Sequence, residues 1–413
     1  MTDARSPDAP SPSPYERLAT PENVQLLESL ASFDEAHAAQ AAARARRSAD
    51  QGVASAALAT SFARRRARAA RKFSRANEMF FTRAGYEQSS SEAVARHRAE
   101  RFARYDRIAD LCCGIGSDTI ALATAVRSIV DAADLDDDAL ACARLNARVH
   151  GVERKIRFHH ADALRWPLDG DAAFADPARR SAQERTHDVA RYQPPLHALL
   201  ERAAELPGRA LAVKVAPGLR ADVDSLREAC GAPVEVEVVS ERGVCKEAVL
   251  WCGELARAHG ALRATIIDES GVHELDGRRM RAPISSLRRW LGEPDAAVIR
   301  AGLLGELCTR LRAHVLDPHV AYMSADEPQS GPYARWYEVL EVLPFSVKRV
   351  RAALRVRAIG RLVIKTRAFP MRPEELSALL KARGGNAAVL VCATIGGSKT
   401  AIVCRSPSAP LPT

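Results

Sequence analysis

The hydrophobic pattern of the chain changes texture at Arg107. RIADLCC (107–113), RSIVDAADL (127–135), KIRFHHA (155–161), DAAFADP (171–177) and RALAVKVAP (209–217) are short apolar runs. Helical stretches separate the first three, around TIALATAV (119–126) and DDALACARLNARVHG (137–151). Apolar runs alternating with helices predict parallel strands with helices on both faces, an α/β doubly wound sheet. VEVEVVSERGVCKEAVLWC (234–252) then alternates with period two across Arg242-Gly243, which predicts an antiparallel hairpin closing that sheet.

The flanks read differently. ATPENVQLLESLA (19–31) offers Thr20 as N-cap and Pro21 at the first helical position. From Phe33 to Ala70 alanine and arginine dominate, predicting short helices. SFARRRARAARKFSRANEMFF (61–81) interleaves Phe62, Phe73, Phe80 and Phe81 with basic residues. Such aromatics either stack on bases or form the core of a helix whose outer face is basic. Ser89-x-x-Glu92 reads as a capping box ahead of the next helix.

After the sheet, RATIIDESGVHELDG (263–277) resembles a small hairpin and PDAAVIRAGLLGELCTRL (294–311) a helix with Pro294 in its first turn. From Arg335, strand-like WYEVLEVLPF, a basic helical run, GRLVIKTRAF, a helix at PEELSALLKARGG, AAVLVCAT and AIVCR predict a small α+β unit. The expected organisation is a disordered tail at 1–16, a helical region at 17–105 and the α/β domain at 106–255. A connecting segment follows at 256–334, then the α+β domain at 335–406 and a second tail at 407–413.

Composition adds three constraints. No eighteen apolar residues run together and the first residues lack a signal peptide's apolar centre, so no membrane span and a cytoplasmic location are expected. The nine cysteines include no Cys-x-x-Cys pair, so reduced, buried thiols and no metal site are expected. The formal charge is +9, and between Phe345 and Gly385 eleven basic residues face two acidic ones. A segment with that bias attracts phosphate.

The candidate chemistry lies at the strand ends. ADLCCGIGSDTIALA (109–123) is a strand running through Gly114 and Gly116 into a helix, a turn that lets backbone approach a ligand. Asp110, Asp134, Asp162 and Asp176 close the first four strands. Ligands of open α/β sheets bind outside those ends. So many carboxylates repel a nucleotide phosphate but suit a ligand with a ribose, an adenine and a cationic centre, as in S-adenosylmethionine.

The order DLCCGIGSD, VDAADLDDDALACARLNA, HHADA, ADPARR resembles the class I S-adenosylmethionine-dependent methyltransferases over about residues 85–253. GYEQSSSEAVARHRAERF, EPDAAVIRAGLLGEL, VLPFSVKRVRAALR and GRLVIKTRAF resemble bacterial members with a C-terminal THUMP-like domain. Cap-guanine N2 methyltransferases resemble the chain more distantly. The resemblance implies a seven-stranded Rossmann-like sheet with a helical N-terminal region and a small THUMP-like α+β domain. It also implies S-adenosylmethionine as cofactor.

Carried over by position, it places Asp110, Cys112, Gly114 and Gly116 around the methionine moiety. Asp134, with Leu135 beside it, would hold the ribose, and Asp162 with Ala163 the adenine. Ser117 departs from a frequent glycine. FADPARR (174–180) occupies the place of an Asp/Asn-Pro-Pro-aromatic motif, in which a polar side chain and a carbonyl hold an exocyclic amine. Asp176 and Pro177 match, whereas Ala178 and Arg179 replace the second proline and the aromatic. Arg179, Arg180 and Lys214 are candidate contacts to the acceptor. Gln88, Glu247, His159 and His160 have structural roles as their plainer readings. The implied reaction methylates a base nitrogen of structured RNA, a tRNA or rRNA. A protein or small-molecule acceptor, or a non-catalytic RNA-binding factor that keeps the pocket, are the alternatives.

Overall fold

The computed structural model describes residues 11–178, 180–181, 184–185, 192–218, 223–257 and 262–405. The chain divides into two compact units, residues 1–235 with 247–260, and 236–246 with 261–413. Residues 1–10 of the tail expected at 1–16, the tail expected at 407–413, and Arg179 lie outside the described residues.

The first unit opens with six helices: α1 (Pro14–Leu18), α2 (Pro21–Leu30), α3 (Ala38–Ser48), α4 (Gln51–Ala69), α5 (Arg83–Gln88) and α6 (Glu92–Ala99). The expected tail therefore ends too late. Ser13 caps α1, and Tyr15 and Leu18, three residues apart, are buried on one face. Phe73, Phe80 and Phe81 are buried with Leu27, Leu30 and Ala57, so the core reading of these aromatics holds. The basic residues lie outside them; Arg64 sits over the Phe80 ring at 5.2 Å. The helix α6 starts two residues later than its capping box predicted. Ser91, not Ser89, accepts the Val94 N–H.

The sheet then follows in βα alternation: β1 (Arg107–Leu111), α7 (Ser117–Ala125), β2 (Ile129–Asp134), α8 (Asp137–Val149), β3 (Ile156–His160) and β4 (Ala172–Ala175). A two-residue pair, β5 (Arg180–Ser181) with β6 (Glu184–Arg185), precedes α9 (Leu196–Glu201), β7 (Leu211–Val215), α10 (Val223–Cys230) and the hairpin β8 (Val234–Glu241)–β9 (Val244–Cys252). Within this unit the order is β9-β7-β4-β1-β2-β3. All pairs are parallel except β7 with β9. Ile108, Val130, Phe174, Ala212 and Trp251 from five of these strands meet in one core. Buried strands on both faces account for their nearly unbroken apolar runs.

Arg242 and Gly243, at φ 50° and 76°, make the tight turn between β8 and β9, as the Arg-Gly pair predicted. The chain leaves the first unit within β8 and returns within β9.

In the second unit β8 pairs in parallel with β10 (Leu262–Asp268), and β10 pairs antiparallel with β11 (Gly271–Gly277). All seven expected strands are present, and the hairpin predicted at 263–277 forms as β10 with β11. Its second sheet is built from β12 (Trp290–Pro294), β13 (His314–Asp317), β14 (Val320–Ala325), β15 (Ala334–Pro344), β16 (Ile359–Arg367), β17 (Asn386–Ile395) and β18 (Ser398–Arg405). The order is β13-β14-β12-β15-β18-β17-β16. Pro294 ends β12 instead of opening a helix, because β12 is hydrogen-bonded to β15 up to that residue. Asp295 caps α11 (Ala296–Ala301), which Gly302, at φ 76°, separates from α12 (Leu304–Arg310). One face of β17 (Val389, Val391, Ala393) packs with Leu291, Tyr322 and Tyr337. The other (Ala388, Leu390, Cys392) lies under α13 (Val347–Val356) and α14 (Pro373–Leu380).

Candidate active site

The loop after β1 carries three left-handed residues, Cys112 (φ 62°), Gly114 (φ 55°) and Gly116 (φ 83°). A side chain at Gly116 would be crowded as well as strained: an added Cβ would stand 3.1 Å from the Ala143 Cα of α8. Beyond Gly114 there is open space, since a Cβ there would meet nothing within 4 Å. The buried Asn146 of α8 fixes the loop from behind. Its amide donates to the carbonyls of Ile115 and Phe80, both at 3.0 Å, and accepts the Phe80 N–H at 2.7 Å.

The four strand-end aspartates converge. Burial pushes the Cys112 thiol well up, and Asp134, Asp176, Asp110 and Asp162, in that order, push it further. Asp110 is fully buried; its Oδ2 accepts from the Thr119 hydroxyl at 2.5 Å. Burial holds its carboxyl well above the usual range, Thr119 opposes this, and Asp118 and Asp176 add to it. Its Oδ1 has no hydrogen-bond partner among the described residues. Asp134 accepts the Gly114 N–H at 2.8 Å and the Asp136 N–H at 3.0 Å, tying the loop to β2. An ionised carboxylate has about four acceptor positions, so two remain for a diol. Leu135, next in line, is 63% exposed despite its apolar side chain. Asp162 accepts the Leu164 N–H at 2.9 Å, and Ala163 is buried beside it.

These features fit S-adenosylmethionine. An orphaned buried carboxylate oxygen suits an amino group, the void over Gly114 suits a ligand close to backbone, and converging carboxylates suit a cationic centre. Asp110 and the Cys112–Gly116 loop would hold the methionine end, Asp134 and Leu135 the nucleoside, Asp162 and Ala163 the base. Bound there, the cofactor supplies a methyl group on a positively charged sulfur.

FADPARR extends from β4 beside this cluster. The Asp176 N–H donates to the Leu111 carbonyl at 3.1 Å, and Ala178 exchanges two hydrogen bonds with Gln193. Pro177 is buried and Ala178 exposed. Lys214 does not open onto a surface: its side chain is 2% exposed and its ammonium is ion-paired to Asp176. The same ammonium donates to the Ser90 hydroxyl at 3.2 Å and to the Gln88 carbonyl at 3.4 Å. Of Arg180 only the backbone, in β5, is described.

Three residues of this network escaped the sequence reading: Ser90, Arg98 and Asp118. Arg98 is buried between Asp118 and Glu247, ion-paired to both, with its guanidinium 4.7 Å from the centre of the Phe174 ring. Glu247 thus pairs with an arginine, while Lys246 pairs with Glu241. The available signal was helical spacing: Val94, Arg98 and Phe102 follow at intervals of four, so Arg98 occupies a core-facing position. His159 bonds Asp131 at 3.0 Å and stacks near Trp166, and His160 bonds the Leu135 carbonyl at 2.9 Å. All nine cysteines are free.

A doubly wound sheet with an antiparallel β9, a glycine loop and acidic strand ends defines a nucleoside-binding methyltransferase fold. Comparison with known proteins agrees. The methyltransferase domain model matches residues 108–185 and the THUMP domain-like model residues 334–406. Uncharacterized S-adenosylmethionine-dependent methyltransferases from two Mycobacterium tuberculosis strains, CDC 1551 and H37Rv, are each 37% identical over 336 residues. These alignments span 80% of this chain and 89% of theirs. The chain belongs to the S-adenosylmethionine-dependent methyltransferase family. It is an enzyme that takes its methyl group from that cofactor.

A shorter match joins it to the release factor glutamine methyltransferase of Chlorobaculum tepidum, 43% identical over 94 residues, 21% of this chain and 30% of the relative. The crystal structure of a protein from Porphyromonas gingivalis W83 described as a methyltransferase superposes with a TM-score of 0.69. It is 21% identical and covers 91% of this chain and 100% of its own, showing the same fold. Among the described residues no helix is long and apolar enough to cross a membrane.

Proposed function

We propose that the enzyme methylates a base nitrogen of structured RNA, a tRNA or rRNA, and that Asp176 and Pro177 hold the acceptor. The observation that carries this reading is the position of Asp176, at the end of β4 and within electrostatic reach of both Cys112 and Asp110. A carboxylate there accepts an acceptor N–H and turns the nitrogen lone pair toward the donor methyl. Fixing a near-attack geometry in this way is worth several kcal/mol of barrier, up to about 7–11 in the best cases. In-line transfer needs no strong base, because the sulfonium is a good leaving group. Arg179 and Arg180 are the proposed contacts to the rest of the nucleotide. A guanidinium stacks on a base or binds phosphate.

The basic residues of the THUMP-like segment support RNA as the acceptor. Lys348, Arg349, Arg355, Lys381 and Arg383 are exposed. Among the described residues they form no ion pair, so their charge is available to a phosphate backbone. The domain division at 106–255 and 335–406 is proposed on the same basis, a carboxylate-lined catalytic part and a cationic binding part.

A protein acceptor is the second reading, favoured by the match to the release factor enzyme, whose name gives glutamine as its target. Comparing methylated nucleosides in RNA from cells with and without the gene separates the two. Loss of one methylated base identifies the target. An unchanged profile removes the RNA reading, and a missing methyl-glutamine would replace it.

A further inference from the structure

A lysine in the middle of a buried strand needs a reason, because taking an ammonium out of water costs several kcal/mol unless it is paired. Lys214 stands in β7, whose five residues are all buried. Its ammonium has three N–H donors, and three acceptors meet them: Asp176 Oδ2, Ser90 Oγ and the Gln88 carbonyl. No donor is left for a substrate.

Its partners are equally committed. The Ser90 hydroxyl accepts from Lys214 and from Arg98 at 3.2 Å, and lies 3.1 Å from Asp118 Oδ2 and 3.4 Å from Glu247 Oε2. One hydroxyl proton and two lone pairs are thereby used. Arg98 spans Asp118 and Glu247 and lies over Phe174, two residues before Asp176. Two cations face three carboxylates, and the third, Asp176, is the most accessible of the five at 19%.

We propose that Lys214 is a positioning residue for methyl transfer: with Ser90 and Arg98 behind it, it fixes the orientation in which Asp176 receives the acceptor. This rests on the reading of Asp176 as the acceptor clamp. Lys214 then acts through Asp176 and never touches the substrate itself. Ser90, just before α6, and Arg98, within it, tie that helix to the end of β4. Among the described residues, the groups facing Asp176 include Lys214 from β7, Asp110 from β1, Cys112 from the glycine loop and Arg98 from α6. Of these, Lys214 is cationic and bonded directly to it.

The test uses full-length wild type, Lys214→Met, Lys214→Arg and Asp176→Asn. S-adenosylmethionine binding by calorimetry checks that each variant keeps its cofactor site. The Asp176 carboxyl is followed by 13C NMR in aspartate-labelled protein. In Lys214→Met its titration should move to higher pH, and Lys214→Arg should bring it back. An unmoved titration overturns the proposal without reference to any acceptor. Methyl transfer from labelled cofactor is then measured on total RNA and on total protein from a strain lacking the gene.

Lys214→Met should lower kcat by ~100-fold, the scale of a 1 Å misplacement. The KM for S-adenosylmethionine should stay within about twofold, since no cofactor contact is removed. The acidic limb of its pH–rate profile should rise with the Asp176 titration. Wild-type labelling of protein alone would end the RNA reading while the lysine comparison is still read on that fraction. An unchanged kcat and pH profile in Lys214→Met on either fraction would end the lysine proposal.

Discussion

The strand ends of the first unit and the THUMP-like segment of the second use charge in opposite ways. Beside the end of β4 the charged groups are few, and four of them are buried and held by named partners. Arg98 is 2% exposed, Lys214 2%, Asp118 7% and Glu247 3%. In the segment from Val347 to Arg383 the cations are many and exposed, and most face solvent. Buried charges are expensive to leave unpaired, so each one matters to folding and geometry. Exposed charges contribute little singly, and their effect is collective and sensitive to salt. Catalysis needs the first kind of site; holding a long polyanion needs the second.

The largest effect should come from Arg98→Ala, which strands Asp118 and Glu247 in the interior. A loss of about 3–5 kcal/mol is expected, read as a lower denaturation midpoint. A loss below about 1 kcal/mol would mean that this network behaves like surface charge, and the contrast would fail.

Next in size is Asp134→Ala. Removing a carboxylate that holds a ribose diol should cost about 1.5–3 kcal/mol, or roughly 10–100-fold in S-adenosylmethionine affinity by calorimetry. Unchanged affinity would move the cofactor away from the end of β2.

Asp110 gives the contrast a pH dependence. Burial raises its folded-state pKa, so the native protein keeps a proton that the unfolded chain releases above about pH 3.9. That contribution is complete below the unfolded value and is lost as pH rises through the folded one. Asp110→Asn has no proton to lose. Without cofactor, its melting temperature should gain on the wild type as pH climbs from about 4 to neutral. Parallel curves would show that Asp110 is ionised in the fold.

The smallest effect on stability should come from Lys348→Glu, Arg349→Glu and Arg355→Glu combined, within about 0.5 kcal/mol by denaturation. The same variant should flatten the dependence of log affinity on log salt by about 2–3 for total tRNA, measured by filter binding. An unaltered salt slope would place the RNA on another face.

Much of this protein is set by its sequence alone, because the relevant signals are local. Period-two and period-3.6 apolar patterns place the strands and helices, and a strand passing into Gly114-x-Gly116 and a helix reads as a tight turn, whose approach to a ligand is indicated by the aspartates at the neighbouring strand ends. Asp110, Asp134, Asp162 and Asp176 could be ranked as one constellation because parallel βα alternation brings equivalent strand ends to one edge. Where local signals tied, tertiary structure decided. Pro294 fits the first turn of a helix and the end of a strand equally well; pairing with β15 selected the strand. Three serines in a row could each cap α6. Ser91 does so, while Ser90 turns inward to Lys214 and Arg98.

The ion network itself could not be read from the chain. Arg98 lies 20 residues from Asp118 and 149 from Glu247, and Lys214 lies 38 from Asp176. Sequence spacing carries no information about such pairs; burial pressure and sheet order bring them together. Sequence pointed to the strand ends as the place for a methyl donor, and only the fold decided that Asp176, the proposed clamp on the acceptor, is held by a buried lysine.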